Sequence, residues 1–444
     1  MPDLTTTNLG KADTPVACAS KWISALEILI AKIPQDKKAQ IKNICCSGTS
    51  ASCLIVDANA NANANANANA NANGDNQDVY TVTRAPRMYD YNVISQQPSY
   101  GQKAIDIIAK YSPPDSPALA PTSTLPKLIA WHLEKKLGKG EKLVHQADLV
   151  AQHLKHDIIS SSSSTTENNG FNGFTSDWNN ALKLGYDVKN LKYPKWMNEL
   201  LEQEGLDLST TLPNVVEPGY NVGTVSSSVA ERLALPKDAK IMAGTTDSIA
   251  AFLASGASES GQAVSSLGST LAIKMLSDMP VEDSNRGIYS HRLGSQWLVG
   301  GASNVGCAVL RQEGFSNEEL INLSKSIDPS TDSKLDYYPL TKKGERFPEN
   351  DPNKEPVLTP VPETRGEYLH GILQGITMCE KKGYSALVEL GATKPTEIST
   401  AGGGSKNTMW TKMRERIIGV KTSQASNIDA AYGAALLGVK LAVM

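Results

Sequence analysis

The sequence has no excess of charge of either sign, because its 444 residues include 43 Lys and Arg against 46 Asp and Glu, a net charge of −3. A chain with this balance has no broad basic surface to hold a phosphate backbone, so nucleic acid is not expected as a partner. The sequence also lacks any run of about 18 apolar residues, so neither a membrane-spanning helix nor a membrane partner is expected. Small molecules remain as the expected partners, and the oligomeric state is left open.

Cysteine is scarce, and the six cysteines form no CxxC pair. Most stand within apolar runs, which is typical of reduced, buried thiols, so neither disulfides nor structural zinc is expected. His153 and His156 share a helix face without a third ligand, so no metal site is expected there. The first residues have the composition of neither a signal peptide nor a transit peptide, which favours the cytoplasm; a plastid is the alternative if a targeting segment precedes them.

Two stretches have compositions that do not suit a core. Residues 58–74 consist largely of Ala-Asn pairs between the strand-like segments "SCLIVD" and "DVYTVT", so we expect a disordered insert in a hairpin turn. Residues 160–176 are rich in Ser, Thr and Asn and are expected to form a polar loop. Passive loop expansion is favoured over ligand binding for both, since each doubling of loop length costs only about 0.6 kcal/mol.

The remaining sequence alternates strand-like with helical segments. "IKNICC" and "SCLIV" are typical of strands, whereas "SKWISALEILIAKI" and "LPKLIAWHLEKKLG" have helical spacing. The alternation continues through the second half and ends in a predicted final helix over 428–443. With 444 residues and 40% hydrophobic content, the chain is expected to be an α/β protein of two domains.

Asp247 stands in "MAGTTDSIAAFLASG", between a short apolar strand and a helix. An acid at this position is a natural helix N-cap, which would explain it without any chemistry. The same strand-to-helix turn, surrounded by small residues, also leaves room for a substrate beside a catalytic base. The local sequence allows both interpretations.

Three short glycine-containing turns are the other candidates for chemistry. "SGTS" (47–50) and "SLGST" (266–270) each join two predicted strands, and "AGGGSKN" (401–407) joins a strand to a helix. Such turns offer unhindered backbone N–H groups and hydroxyls that can hold phosphate oxygens. Each alone is weak evidence, because Gly, Ser and Thr are also common in turns for conformational reasons. The triple glycine is stronger, since it lets a flat ligand approach the backbone before a helix N-terminus.

The order of these motifs resembles the FGGY carbohydrate kinases. "MAGTTDSIAAFLASGA" is followed by "SLGST", "YSHRLGSQWLVGGASN", "LDYYPL", "GERFPENDP", "AGGGSKN" and "DAAYGAALLG". These motifs are most similar to those of the ribulose/xylulose kinase-like branch of cyanobacteria and plant plastids. The resemblance implies a two-domain, actin-like ATPase fold of the ribonuclease H type with an interdomain cleft. Residues 1–254 would form a sugar-binding domain and 255–444 a nucleotide-binding domain, with the final helix a candidate for packing on the first.

The resemblance also implies roles for individual residues. Asp247 matches the family's catalytic base, which takes the proton of the sugar hydroxyl, and it is a candidate contact to Mg²⁺ through Mg-ATP. Ser50 matches a sugar-contacting serine. The implied ATP-binding residues are Gly268, Ser269 and Thr270 of the phosphate loop, Gly402, Gly403, Gly404 and Asn407 of the adenosine turn, and Trp410, which would cover the purine. ATP and Mg²⁺ are the implied cofactors, and phosphoryl transfer depends mainly on positioning and charge neutralisation.

The sequence departs from the family pattern at two places. The family opens with a hairpin carrying an Asp-x-Gly-Thr-x-Gly loop, and no such motif is present, so the first hairpin of domain 1 is expected to be missing. Ser47 stands where relatives usually have an acid. The implied activity is ATP-dependent phosphorylation of a ketopentose, D-ribulose first and xylulose second. The alternative is a truncated product or a nucleotide- or sugar-binding chain that has lost transfer.

Overall fold

The structure is a computed structural model that describes residues 15–57, 81–155 and 174–440. The Ala-Asn insert predicted over 58–74 and residues 160–173 of the predicted polar loop lie outside the described residues. Within the three described ranges, no helix combines the length and the apolar character needed to cross a membrane.

The helices and strands alternate along the chain as follows. The helices are α1 (Pro15–Ala31), α2 (Gln35–Lys38), α3 (Val93–Gln96), α4 (Gly101–Ala109), α5 (Thr124–Glu134), α6 (Gln146–Lys155), α7 (Trp178–Ala181), α8 (Lys195–Gln203), α9 (Leu208–Thr211), α10 (Ser227–Leu233), α11 (Asp247–Ala254), α12 (Ala308–Gln312), α13 (Asn317–Ser326), α14 (Arg365–Glu389), α15 (Thr408–Ile418) and α16 (Ala430–Lys440). The strands are β1 (Asn43–Gly48), β2 (Cys53–Asp57), β3 (Thr81–Arg87), β4 (Glu141–His145), β5 (Thr175–Asp177), β6 (Asn214–Val216), β7 (Asn221–Thr224), β8 (Lys240–Thr246), β9 (Gln262–Leu267), β10 (Leu271–Ser277), β11 (Tyr289–Leu293), β12 (Gln296–Ala302), β13 (Glu397–Ala401) and β14 (Lys421–Gln424).

The chain divides into two compact units. Unit 1 comprises residues 1–250 together with 430–444, and unit 2 comprises residues 251–429. The division falls within α11, and α16 belongs to unit 1 although it follows unit 2 in the sequence.

Unit 1 contains two three-stranded sheets, in the orders β1-β8-β7 and β3-β2-β4. β1 and β8 are parallel, and their pairing shifts register between Cys45 and Ser47, close to the ends of both strands. The strands approach so closely here that a Cβ on Gly244 would lie 1.7 Å from the carbonyl oxygen of Cys46. Glycine is therefore required at position 244, just upstream of Asp247.

Apolar side chains from both sheets of unit 1 pack against helices. The central strand β2 is buried along most of its length, which fits its run of Cys, Leu, Ile and Val. Its two neighbours are antiparallel to it, and pairing of β2 with β3 confirms the hairpin predicted on either side of the Ala-Asn insert. α1 contributes Trp22 to one core cluster, and α5 contributes Leu128 and Trp131 to another.

The end of the predicted polar loop is ordered differently from the prediction. Phe174 is buried, and the next three residues form β5, which pairs in parallel with β6. Asp177 then caps α7 by accepting hydrogen bonds from the backbone N–H groups of Asn179 and Asn180. The sequence failed to predict this strand because its three residues, Thr, Ser and Asp, are polar and typical of loops.

Unit 2 is built on a six-stranded sheet in the order β11-β12-β10-β9-β13-β14. The first four strands in this order are antiparallel neighbours, whereas β9, β13 and β14 run parallel. α14, which is 25 residues long, packs on this sheet together with α15. α13 begins with a reciprocal capping box between Ser316 and Glu319, which satisfies two of the backbone N–H groups at its start.

Candidate functional site

Asp247 lies where β8 ends and α11 begins. The two preceding residues, Thr245 and Thr246, are fully buried, whereas the Asp247 side chain is partly exposed. Its Oδ1 accepts a hydrogen bond of 2.7 Å from the backbone N–H of Ser248. The carboxylate is thus oriented by the helix start while part of it stays accessible, so the two interpretations of its sequence position are compatible.

The turn after β1 lies beside this carboxylate, because β1 and β8 are parallel neighbours. Ser47 pairs with Thr245 and Gly48 pairs with Thr246, so both strands lead to the same edge of the sheet. The Oγ of Ser50 and the Oγ1 of Thr246 are buried, and neither has a hydrogen-bond partner among the described residues. Because buried polar atoms are normally paired, the two hydroxyls indicate a place where a ligand or water completes the hydrogen bonding.

The β1–β2 turn is held in place by side chains from α5 and α6. Gln146 accepts hydrogen bonds of 3.0 Å from the backbone N–H and the hydroxyl of Thr49. Lys127 is fully buried and donates to the carbonyl oxygens of Ala51 and Met88 at 2.8 and 2.7 Å. Ala51 has a positive φ of 65°, a costly conformation that surrounding contacts must enforce. Burial lowers the pKa of Lys127 to about 8.

Sequence reasoning missed two residues of the segment that follows β5. The Nδ2 of Asn179 donates to the Oγ1 of Thr245 at 3.1 Å, while its buried Oδ1 has no partner among the described residues. Lys183 follows one helical turn later; burial lowers the pKa of its ammonium group, and the charge of Asp247 opposes that shift. An ammonium group therefore lies close to the candidate base. No local pattern could reveal the contact of Asn179 with Thr245, because 66 positions separate them. The same holds for Lys183 and Asp247, which are similarly far apart in the sequence.

Asp177 is a second acid in the interior of unit 1. It is fully buried, and the pKa of its carboxyl rises to about 7, first because burial disfavours the charge and second because Asp148 lies nearby. Hydrogen bonds from Asn179 and Asn180 oppose the shift without cancelling it. Asp148 itself accepts a hydrogen bond from the Nδ1 of His145 at 3.1 Å.

We expect Asp177→Asn to make the protein more stable at pH 8 and to give no advantage near pH 4. The raised folded pKa means that the wild-type chain holds its proton between about pH 4 and 7, so its stability falls as the pH rises through 7. Asn keeps the oxygen that caps α7 and removes the charge. The Nδ2 of Asn180 donates to the Oδ2 of Asp177 at 2.6 Å, so the Asn180 amide must rotate to present its unpartnered Oδ1 to the new amide. Thermal unfolding at both pH values measures the difference, which is at most about 4 kcal/mol.

Asp187→Asn provides the matched control for this measurement. Asp187 bonds to the backbone of Lys189 and Asn190 and to the Asn190 side chain in the same pattern, but it is partly exposed. These hydrogen bonds hold its pKa below the usual value although partial burial opposes them, so its contribution to stability is lost as the pH falls. A loss of stability at pH 8 on replacing Asp177 would contradict the assignment of a raised pKa.

In unit 2, the turn between β9 and β10 carries the predicted phosphate loop. Ser269 and Thr270 are exposed, and the carbonyl oxygens of Gly268 and Ser269 accept hydrogen bonds from the backbone of Cys307 and Ala308 at 2.9 and 3.2 Å. The exposed Arg311 of α12 donates to the Oγ of Ser269 at 3.2 Å. Sequence reasoning missed this arginine, which adds a positive charge to a turn rich in hydroxyl and N–H groups.

The glycine turn after β13 packs against the end of β9. Gly402 has a φ of +83°, and a Cβ there would lie 2.6 Å from the carbonyl oxygen of Leu267. A Cβ on Gly404 would lie 2.7 Å from the indole of Trp410, whereas a Cβ on Gly403 would meet no atom within 4 Å. The structure therefore brings the two predicted nucleotide turns into contact and leaves Gly403 open to an approaching ligand.

A polar pocket of about 450 Å³ adjoins this turn. Thr400, Ala401 and Ser405 form one wall, and residues 424–429 form the other. Because β13 and β14 are parallel, the pocket lies at the carboxyl ends of two strands, where ligands commonly bind in α/β proteins.

Trp410 does not have the exposed ring that the prediction of a purine cover requires. Its side chain is 2% exposed, and its indole N–H donates to the carbonyl oxygen of Leu373 and the hydroxyl of Thr377 at 3.1 and 2.9 Å. The ring supports the glycine turn from the interior, which corrects the prediction. Asn407 caps α15 by accepting from the Trp410 backbone and also donates to Ser324, so both ends of its amide are already bonded.

The described ranges contain no group of three or more His, Cys, Asp or Glu side chains that could hold a metal ion. In unit 1, Asp247 lies next to the hydroxyls that have no partner in the described part of the chain. In unit 2, considered by itself, the β9–β10 turn offers hydroxyl and N–H groups. A single carboxylate such as that of Asp247 fits Mg²⁺ that would be held mainly by nucleotide phosphates, rather than by a cage of protein ligands.

Solved sugar kinases share this architecture. A ligand-bound xylulose kinase from Lactobacillus acidophilus superposes with a TM-score of 0.71 and 18% identity, covering 96% of this chain and 81% of that one. The chain therefore has the two-domain, actin-like ATPase fold of these enzymes.

Sequence comparison finds similarity to sugar kinases in part of the chain. Residues 263–442 match the model for the C-terminal domain of the FGGY family of carbohydrate kinases. An L-fuculokinase of Escherichia coli K12 is 25% identical over 244 residues, 51% of this chain and 48% of the relative. A xylulose kinase of Staphylococcus epidermidis RP62A is 25% identical over 236 residues, with shares of 51% and 47%. The chain spans about half the length of these curated relatives, and its residues 263–442 are similar to the C-terminal domain of the FGGY carbohydrate kinases.

Proposed function

We propose that the protein is an ATP-dependent sugar kinase that phosphorylates a ketopentose, D-ribulose first and xylulose second, with Asp247 as the general base. The observation that carries the proposal is the partly exposed Asp247 carboxylate beside the buried hydroxyls of Ser50 and Thr246, which have no partner within the described ranges. The assignment to the ribulose/xylulose kinase-like branch of cyanobacteria and plastids rests on the residues of the sequence motifs and is part of the same proposal.

The unit 1 site suits a small polyol. A sugar hydroxyl can donate to the free oxygens of Ser50, Thr246 and Asn179, all of which are buried and lack partners among the described residues. Such atoms favour a ligand that hydrogen-bonds in several directions and disfavour an apolar one. Asp247 then accepts the proton of the attacking sugar hydroxyl, while the sugar oxygen bonds to the γ-phosphorus of ATP and the bond from that phosphorus to the departing ADP breaks. The ammonium group of Lys183, whose pKa burial lowers against the opposing effect of the Asp247 charge, would favour negative charge there.

The unit 2 site suits a nucleotide. Gly403 leaves the backbone open, the hydroxyls of Ser269 and Thr270 are exposed, and Arg311 adds a positive charge beside them. Bound ATP would supply the phosphoryl group and Mg²⁺ would neutralise its charge. We propose that Gly268, Ser269, Thr270 and Arg311 bind the phosphates, and that Gly402, Gly403, Gly404 and the end of β13 face the nucleoside. Asn407 and Trp410 hold this turn in shape.

A coupled ADP-release assay tests the proposal. The purified chain is mixed with Mg-ATP and, in turn, D-ribulose, D-xylulose, L-fuculose and gluconate. We expect ADP release that depends on sugar and is largest with D-ribulose. Release that is equal with all four sugars and with none would contradict a ketopentose kinase, and a preference for L-fuculose or gluconate would overturn the substrate class.

A second candidate is a nucleotide- or sugar-binding protein without transfer activity. The observation that favours it is Ser47, which occupies a β1 position paired with Thr245 and supplies a hydroxyl instead of a carboxylate. Calorimetric titration with ADP and D-ribulose distinguishes the two functions. Binding of both ligands without ADP release supports this candidate, whereas turnover excludes it.

A further inference from the structure

A buried ion pair connects α14 and α15 in unit 2. Arg414 and Glu380 have side chains that are 1% and 0% exposed, and two hydrogen bonds join them, Nε to Oε2 at 2.7 Å and Nη2 to Oε1 at 2.6 Å. Taking two charges out of water is costly, and well-packed apolar residues often give equal or greater stability. A role beyond stability is therefore worth seeking in what else the pair contacts.

The pair also bonds to one hydroxyl on each of two neighbouring strands. Arg414 Nη1 donates to the Oγ1 of Thr400 on β13 at 2.6 Å, and Ser265 on β9 donates its hydroxyl to Glu380. Ser265 and Thr400 are partners in the parallel pairing of β9 with β13. A single ion pair thus fixes the relative position of the two strands along their length. Tyr384, which bonds to Ser265 at 2.8 Å, extends the same network.

Both strands lead directly into the candidate nucleotide turns. Thr400 is two residues before Gly402, and Ser265 is three residues before Gly268. The turns touch at the position where a Cβ on Gly402 would collide with Leu267, so a small slide of one strand would separate or block them. Thr400 also lines the polar pocket beside the glycine turn.

We propose that the Glu380–Arg414 pair is a positioning device that sets the spacing of the two turns for a nucleoside di- or triphosphate. The inference rests on the proposed nucleotide site of unit 2. The directional bonds of the guanidinium and carboxylate groups hold two strand hydroxyls at once, which apolar side chains of similar volume cannot do. Glu380 and Arg414 act through Thr400 and Ser265 and do not themselves contact the ligand.

The test replaces the pair as a whole, in the variant Glu380→Leu with Arg414→Met. Removing both charges together leaves no unpaired buried ion, so the variant is expected to fold. Its melting temperature should fall, because the buried hydroxyls of Thr400 and Ser265 each lose a hydrogen-bond partner. We expect its Kd for ADP and its KM for ATP to rise at least tenfold, with the sugar KM and the affinity for D-ribulose unchanged. Calorimetry with ADP and with D-ribulose gives the two affinities separately.

Arg416→Met is the matched control, because Arg416 lies on the same helix and forms an ion pair with Asp332 at 2.7 Å on the surface. It should leave ADP binding unchanged. Thr400→Val gives an independent measurement if the double variant does not fold, since it removes one hydroxyl and is expected to weaken ADP binding several-fold. ADP affinity within twofold of wild type in a folded double variant, or in Thr400→Val, overturns the inference alone. Absence of ADP binding by the wild-type chain overturns the proposed nucleotide site and the inference with it.

Discussion

Replacement of Asp247 by Asn is expected to lower kcat for sugar phosphorylation by a factor of about 10² to 10⁴, the usual contribution of a general base. The amide cannot accept the proton of the attacking hydroxyl at neutral pH. Its oxygen can still accept from the backbone N–H of Ser248, so α11 should begin normally and the fold should be retained. ADP release under saturating sugar and ATP measures the loss.

Asp207→Asn is the control for this variant. Asp207 is also the acid at a helix start in unit 1, where its Oδ1 accepts from the backbone of Thr210 at 2.8 Å, and it is not part of the candidate site. We expect it to keep the wild-type kcat. ADP binding should be unchanged in both variants, because Asp247 is proposed to act on the acceptor. Wild-type turnover by Asp247→Asn would remove Asp247 from the mechanism, whatever the chain phosphorylates.

Gly402→Ala is expected to weaken ADP binding at least tenfold. A non-glycine residue at a φ of +83° is strained, which costs about 1 to 3 kcal/mol, and its Cβ would lie 2.6 Å from the Leu267 carbonyl oxygen. The turn must shift away from β9 to relieve this contact, and the shift moves the backbone proposed to face the nucleoside. Calorimetric titration with ADP measures the affinity, and thermal unfolding measures the accompanying loss of stability.

Alanine variants of two further glycines distinguish the effect of backbone strain on ADP binding from the effect of a lost ligand contact. Gly419 has a similar φ of +78° but no atom within 4 Å of an added Cβ, so Gly419→Ala should lower stability without affecting ADP binding. Gly403→Ala meets no atom of the chain. It should keep the stability of the wild type and weaken ADP binding if a ligand approaches the backbone at this turn. Equal ADP affinity in Gly402→Ala and Gly419→Ala would show that the turn has no role in binding.

Local patterns were sufficient to predict the strand and helix around Asp247 and the three glycine-containing turns. Neighbouring residues are sufficient to predict both the change from an apolar strand to a helix and the glycine-containing turns. The pairing that places Asp247 beside β1 could not be predicted from local patterns, because parallel pairing joins segments that are distant in the sequence. The motif order implied the fold more directly than any single turn did.

The remaining site residues were invisible to sequence reasoning for definite physical reasons. Lys183 interacts with Asp247 in unit 1, and Arg311 contacts Ser269 in unit 2. Each interaction joins segments far apart in the chain, which hydrophobic periodicity does not reveal. The resemblance implies that Trp410 covers the purine, but its ring is buried, and sequence spacing does not tell which face of α15 packs inward. The shift in the pKa of Asp177 comes from burial and from Asp148, neither of which its polar neighbours in sequence suggest.

The position of α16 in unit 1 has a consequence for synthesis of the chain. α16 packs on β1, and Asn43 donates to the carbonyl oxygen of Gly438 at 3.0 Å, although 395 positions separate the two residues. All of residues 251–429 are therefore synthesised before α16 can pack on β1, the strand paired with β8. Unit 1 cannot complete its packing until α16 has been synthesised. Until then, one face of β1 stays uncovered. Loss of α16 would consequently uncover β1 in the unit formed mainly by the first half of the sequence.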